Sequence, residues 1–309
     1  MKTRKGFTLV ELLVVIAIIA LLMGILMPAL ARVRQLAFRM VCGTNLSGIG
    51  KAMLIYANDY EDERPRAGGR NTTWGAVKNW TAADRRAAFN LNVTDGTGGT
   101  ASVSSCFYLL VKYAEVTPKS FICKGDAGTT EFKLADRTNI QANFELIDAW
   151  DFGDATENWK HCSYTYHVPF GLYALTTSNE PGFAVAADRN PWIKSPASDP
   201  LPFAAFVPDA GATGGTGTSD QAKKGNAISH QSDGQNVLFL DSHVEFAKRS
   251  YCSIEDDNIY TVSRNATMGD ALGLQPTPAP GLTPANRKDS LLVHDPDTFG
   301  SGGATTKKR

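Results

Sequence analysis

The chain has 309 residues, 31 basic and 31 acidic side chains, and a formal net charge of zero. That length allows one or two domains with a sizeable core, and a hydrophobic share of 43% excludes a wholly disordered chain and a polytopic membrane protein. Zero net charge offers no general attraction to nucleic acid or acidic membranes, and five cysteines are too few for a disulfide scaffold.

The strongest asymmetry is at the N-terminus. Lys2, Arg4 and Lys5 open the chain, and an apolar run then extends from Phe7 to Met27, followed by Pro28. Glu11 is the one charge between Phe7 and Ala31. A run of about 25 residues exceeds the roughly 20 that a helix needs to cross a bilayer. A secretory signal peptide fits the basic start and the small-x-small site Ala29-Leu30-Ala31, with a mature N-terminus at Arg32. It does not fit the length of the run or its acid. A plain membrane anchor fits the length but leaves Glu11 unpaired in hydrocarbon, which is costly.

A third reading accounts for all the parts. Lys5-Gly6-Phe7-Thr8-Leu9-Val10-Glu11-Leu12-Leu13 resembles the type IV prepilin signal, shared by pilins and the pseudopilins of type II secretion. The resemblance implies cleavage between Gly6 and Phe7 by a prepilin peptidase, which then methylates the new amine of Phe7. It also implies assembly with other pilin or pseudopilin subunits, in which Glu11 pairs with the cationic Phe7 amine of a neighbour. Pro28 stands where pilins often carry proline. Flanking charge does not orient the segment, because Arg32, Arg34 and Arg39 balance the leading three. The resemblance places the N-terminus in the cytoplasm and the head in the periplasm or on a cell-surface filament.

The expected organisation is α+β: a long N-terminal transmembrane spine helix packed on a small antiparallel-sheet head with long loops. Residues 1–6 form the leader and 7–58 the helix, with its membrane part at about 7–30. At 1.5 Å per residue this helix is roughly 75–80 Å long, with bends expected at Pro28 and Gly43. Val33, Leu36 and Met40, then Leu46, Ile49, Met53, Tyr56 and Tyr60, keep three-four spacing. The stretch from Cys42 to Tyr60 is not a phosphate loop, because Asn45 stands where the required glycine would be.

Residues 59–268 form the head. Thr94–Ser105 and Pro208–Lys224 read as surface loops, Cys106–Tyr113 as a short helix and Phe121-Ile122-Cys123 as a short strand. The aromatics Trp150, Phe152, Trp159, Tyr164, Tyr166, Phe170 and Tyr173 fit core packing better than a sugar-binding face. Asn236–Phe246 reads as a hairpin about a two-residue Asp241-Ser242 turn, pairing Phe239 with Val244 and Val237 with Phe246. Residues 269–309, with five prolines, read as a flexible tail.

The hairpin carries a second resemblance, to bacterial prepilin-like proteins that end in a box of His, nine residues, then Asp-Gly. Here His230, Asp233, Gly234, Asp241 and His243 occupy it; ten residues separate His230 from Asp241, and Ser242 replaces the glycine. Asn45-Leu46, Phe121-Ile122-Cys123, Ser163-Tyr164, Ala187–Pro191 and Asp257–Tyr260 resemble the same family, whose biochemical role gives these residues no mechanism.

No Cys-x-x-Cys or His-Glu-x-x-His spacing supports a transition metal, although His161, Cys162, His167, His230 and His243 are available. Calcium is the candidate cofactor, because major pseudopilins commonly hold one in a late loop; Asp188, Asp233 and Asp241 are its candidate ligands, with Asp256 and Asp257 nearby. Cys106, Cys123, Cys162 and Cys252 are the disulfide candidates, in any of three pairings, and Cys42 is expected to be unpaired. No nucleophile motif is present, so no catalysis is expected. The expected function is a structural subunit of a type IV pilus or type II pseudopilus; the alternative is a membrane-tethered surface protein that binds a ligand such as polysaccharide and does not polymerise.

Overall fold

The computed structural model describes residues 8–138, 140–209 and 215–299. One helix dominates: α1, Leu9–Asp59, 51 residues and about 77 Å long at 1.5 Å per residue. It runs unbroken through Pro28 and through Cys42-Gly43-Thr44-Asn45. The side chains are exposed or half-buried as far as Val41, and Cys42 is the first buried residue. From there Cys42, Leu46, Ile49, Gly50, Met53, Tyr56 and Ala57 form a buried stripe at helical spacing. The sequence pattern therefore separates a bare half from a packed half.

The head is built on a five-stranded antiparallel sheet in the order β6-β5-β4-β3-β7. The strands are β3 (Tyr164–His167), β4 (Ala184–Asp188), β5 (Gln235–Phe239), β6 (Val244–Ala247) and β7 (Leu292–Val293). Earlier elements are β1 (Thr73–Trp74), paired in parallel with β2 (Thr100–Ala101), the short helix α2 (Arg85–Phe89), and α3 (Val103–Tyr113). Every residue of β3, β4 and β5 is buried. A sheet covered on both faces loses the in-out alternation of a half-exposed one. One face, bearing Tyr166, Ala186 and Leu238, packs under α1 and α3. The other, bearing Ala187, Val237 and Ala247, lies under Trp192, Phe206, Tyr251, Ile259 and Tyr260.

Four local expectations are corrected. The 269–309 segment is not a loose tail as far as residue 299. Leu292 and Val293 form β7 and pair with His167 and Tyr166, and Asp289, Ser290, Leu291 and Asp295 are buried. Proline-rich composition signals irregular backbone, but irregular backbone can still cover a sheet edge. Second, the hairpin register is shifted by one: Leu238 pairs with Val244 and Val237 with Glu245. The loop is the three residues Leu240-Asp241-Ser242, closed by Phe239 N bonding His243 O, with Ser242 at φ 73°. A turn ending in a left-handed residue suits the strand twist. Val244 consequently lies with Leu238 on the helix side, while His243 stacks on Phe239 at 4.4 Å on the other. Third, Phe121-Ile122-Cys123 is not a strand: a 3-10 turn over Pro118–Phe121 leads into extended Ile122. Fourth, Ala101–Ser105 is buried and leads from β2 through the Ser102 cap into α3 rather than ending a surface loop.

Of the seven aromatics clustered between 150 and 173, Trp150, Phe152, Tyr164, Tyr166 and Phe170 are buried. Packing accounts for them.

Candidate functional site: the anchor helix and its clasp

α1 begins with a reciprocal cap. Thr8 is extended, and its hydroxyl accepts the Glu11 N–H at 3.3 Å. Glu11 Oε2 in turn accepts from Thr8 N at 2.9 Å and from Thr8 Oγ1 at 2.7 Å. The acid therefore sits in the first turn, where the helix dipole favours negative charge. It caps its own helix, a local role that the sequence reading did not assign to it. Gly6 and Phe7 lie outside the described residues. Leu12, Ile16, Ile19, Met23, Leu26 and Leu30 cover the bare half and are all exposed. Among the described residues one helix is long and apolar enough to cross a membrane, and this is it.

Where the bare half ends, the head grips the helix. Arg39 reaches Asp233 Oδ2 at 2.5 Å, and its guanidinium lies over the Phe246 ring at 4.6 Å. One turn on, Cys42 is joined to Cys123 by a disulfide, with Cα atoms 5.3 Å apart. Asn45 then donates to Ile122 O at 3.1 Å and to Tyr164 Oη at 3.2 Å. This overturns the cysteine expectation: Cys42 is bonded, whereas Cys106, Cys162 and Cys252 are free. Cys123 is 81 residues away in sequence, and only the fold brings it onto the helix. Burial pushes the free Cys162 and Cys252 thiols up to about 12.

The box residues divide between two places. His230 is buried beside the disulfide, with Nε2 3.1 Å from Asp188 Oδ2 and 3.8 Å from Cys123 Sγ. Asn236 donates to the same Asp188 oxygen from its backbone N at 2.6 Å and its side chain at 3.1 Å. Gly234 permits the turn into β5: its φ is 154°, and a Cβ there would stand 2.4 Å from Ala247 O. Asp233 faces outward to Arg39. Asp241 and His243 lie at the exposed hairpin tip, where Asp241 Oδ1 accepts from His243 N at 3.1 Å and from Nδ1 at 2.5 Å. The His243 backbone N–H is the main cause holding the Asp241 carboxyl below its ordinary value.

Asp188, Asp233 and Asp241 therefore do not converge into a calcium site: one is inside, one bonds the helix and one caps a turn. The histidines around Cys162 also go separate ways. His161 Nδ1 meets Thr130 O at 2.8 Å, and His167 Nε2 meets Tyr173 O at 3.3 Å. Burial lowers His167 to about 4. Asp256 pairs with Arg249, whereas Asp257 is buried and accepts from Asp270 N and Ser290 N.

Against known families, residues 1–27 match the model described as a prokaryotic N-terminal methylation motif, the prepilin-type signature. No curated protein and no solved structure matches the chain. The chain thus carries the N-terminal signature of a type IV pilin-like or pseudopilin-like precursor, on a helix suited to a membrane-anchored or surface-filament protein.

Proposed function

We propose, from the methylation motif at residues 1–27, that this chain is a structural subunit of a type IV pilus or type II secretion pseudopilus. Prepilin peptidase releases it by cutting between Gly6 and Phe7 and methylates Phe7. The bare half of α1 holds the precursor in the inner membrane, N-terminus in the cytoplasm and head in the periplasm, and later packs against the same segment of other subunits. The observation that carries this reading is the division of one helix at Cys42: an apolar stretch that the head leaves uncovered, then a stretch the head clasps. In the membrane that apolar surface is solvated by lipid. Outside it, other subunits must cover it. Glu11 sets the axial step, because a subunit docked out of register leaves its carboxylate away from a neighbour's amine.

The test has two parts. Mass spectrometry of the protein from cells should give an N-terminus at methylated Phe7. An N-terminus at Met1 or Arg32 would sink the proposal. Glu11→Ala should abolish filament recovery while leaving the head protease-resistant; a protein that is processed yet stays monomeric in both forms would favour a tethered surface-binding protein.

A further inference from the structure

The disulfide has two further neighbours of a kind that disulfides do not need. The side-chain donor atoms of Cys42, Cys123, His230 and Asp188 all lie within 4.8 Å of one another, and all four residues are buried. They come from four separate segments: α1, the turn after Phe121, the turn before β5, and the end of β4. We infer that, when Cys42 and Cys123 are thiols, these four side chains form a closed tetrahedral site for a divalent ion of the zinc class. This goes beyond the filament proposal and does not depend on it.

The donor set decides the metal. Two thiolates, one imidazole and one carboxylate make a borderline-soft site that suits zinc and not calcium. Zinc bonds of about 2.0–2.3 Å place tetrahedral donors roughly 3.3–3.8 Å apart. The His230 Nε2 to Asp188 and Cys123 distances of 3.1 and 3.8 Å are already close to that range. The surroundings are those of a charged site. Gly125 N donates to Cys123 Sγ at 3.4 Å, which favours the thiolate. Asn236 steadies Asp188 with two bonds to Oδ2, as an outer-shell partner does for a ligating carboxylate. Asp188 Oδ1 is buried without a hydrogen-bond partner, an unspent acceptor that is costly without an ion. Gly125 also lets the Cys123 turn approach His230: a Cβ there would meet Ser229 O at 2.4 Å.

Disulfide and metal exclude each other, because the same two sulfurs serve both. Zinc binding to the dithiol releases one proton from each thiol to solvent. Oxidation reverses it: a disulfide-donating oxidant takes two electrons from the sulfurs and, with two protons, becomes a dithiol; the Cys42–Cys123 bond closes and the ion leaves. Either way the head stays clamped to the helix at Cys42.

The experiment uses the full chain in detergent micelles and metal-free buffer, oxidised or reduced with a phosphine. Zinc per chain is measured after gel filtration, and Co2+ serves as a spectroscopic probe. The reduced protein should retain one zinc, and its Co2+ form should show tetrahedral d–d bands with sulfur-to-cobalt charge transfer. The oxidised protein should retain none. His230→Gln and Asp188→Asn should each weaken zinc binding by at least about tenfold, whereas Cys106→Ser and Cys162→Ser should leave it unchanged. A reduced chain that stays metal-free, whether folded or unfolded by circular dichroism, overturns the inference. So does zinc uptake by the wild type whose Co2+ spectrum lacks sulfur charge transfer, or uptake indifferent to His230→Gln in a folded variant.

Discussion

Gly50 of α1 lies so close to Leu238 of β5 that a Cβ built on it would stand 2.7 Å from Leu238 Cδ1. Two residues earlier, Gly48 is exposed and would meet nothing within 4 Å. The same substitution should therefore act in opposite directions. Alanine in place of a helix-interior glycine gains about 1 kcal/mol of propensity, so Gly48→Ala should raise the denaturation midpoint. Gly50→Ala gains the same but overpacks, which costs roughly 1–3 kcal/mol, and Gly50→Val should be worse still. Equal midpoints for Gly48→Ala and Gly50→Ala would mean that helix and sheet do not pack here as described.

The cross-link at Cys42 closes a loop of 81 residues. In the chain-entropy account a loop of that size stabilises by about 4.5 kcal/mol, with measured values commonly about 2–4. Reduction in metal-free buffer, or Cys42→Ser, should lower the urea midpoint accordingly. Cys106→Ser should retain the full response to reductant. A wild-type midpoint indifferent to reductant would contradict the pairing.

Asp151 is fully buried, accepting from Ser102 Oγ at 2.5 Å, Ser104 Oγ at 2.7 Å and Asn158 Nδ2 at 3.0 Å. Burial first, then the neighbouring Asp295, raises its pKa from 3.8 to about 7. An acid with a raised folded-state pKa binds its proton more tightly folded than unfolded. Stability from this site is thus full below about pH 4 and declines as pH rises towards 7, by at most about 4 kcal/mol. Asparagine does not titrate. Asp151→Asn should therefore be more destabilising at pH 5 than at pH 8, as read from paired urea titrations. A difference of the other sign would refute the assignment.

Asp295 accepts from Trp74 Nε1 at 2.8 Å, Val103 N at 2.9 Å and Ser104 N at 2.7 Å, so it holds the first turn of α3. Asp295→Ala strands three buried donors, each worth about 1–3 kcal/mol. Limited proteolysis should then cut the head far faster than wild type, as should a chain stopped before Leu291, which loses β7. Unchanged resistance would show that this late segment is dispensable to the head.

Much of the architecture was readable from local patterns. An apolar run with one acid, followed by three-four spacing, specified α1. Alternation about Asp241 specified a hairpin. The register failed because Leu240 joins the turn and makes it three residues long, and alternation about Asp241 does not fix the loop length on which register depends. The late segment was misread because proline content describes backbone regularity, whereas its burial is decided by the open edge of β3, which Leu292 and Val293 pair. Cys42 with Cys123, and His230 with Asp188, were illegible for a simpler reason: the partners stand 81 and 42 positions apart in the sequence, and no spacing rule reaches that far.

Cys42 is both the first buried residue of α1 and the cross-linked one. Traction applied along the bare rod therefore enters the head through a sulfur–sulfur bond beside β4 and β5, ahead of the apolar stripe from Leu46 to Ala57. Side chains in that stripe can slip past one another under load; a covalent rivet at its leading edge spares them from shear and keeps the head from peeling off its stalk.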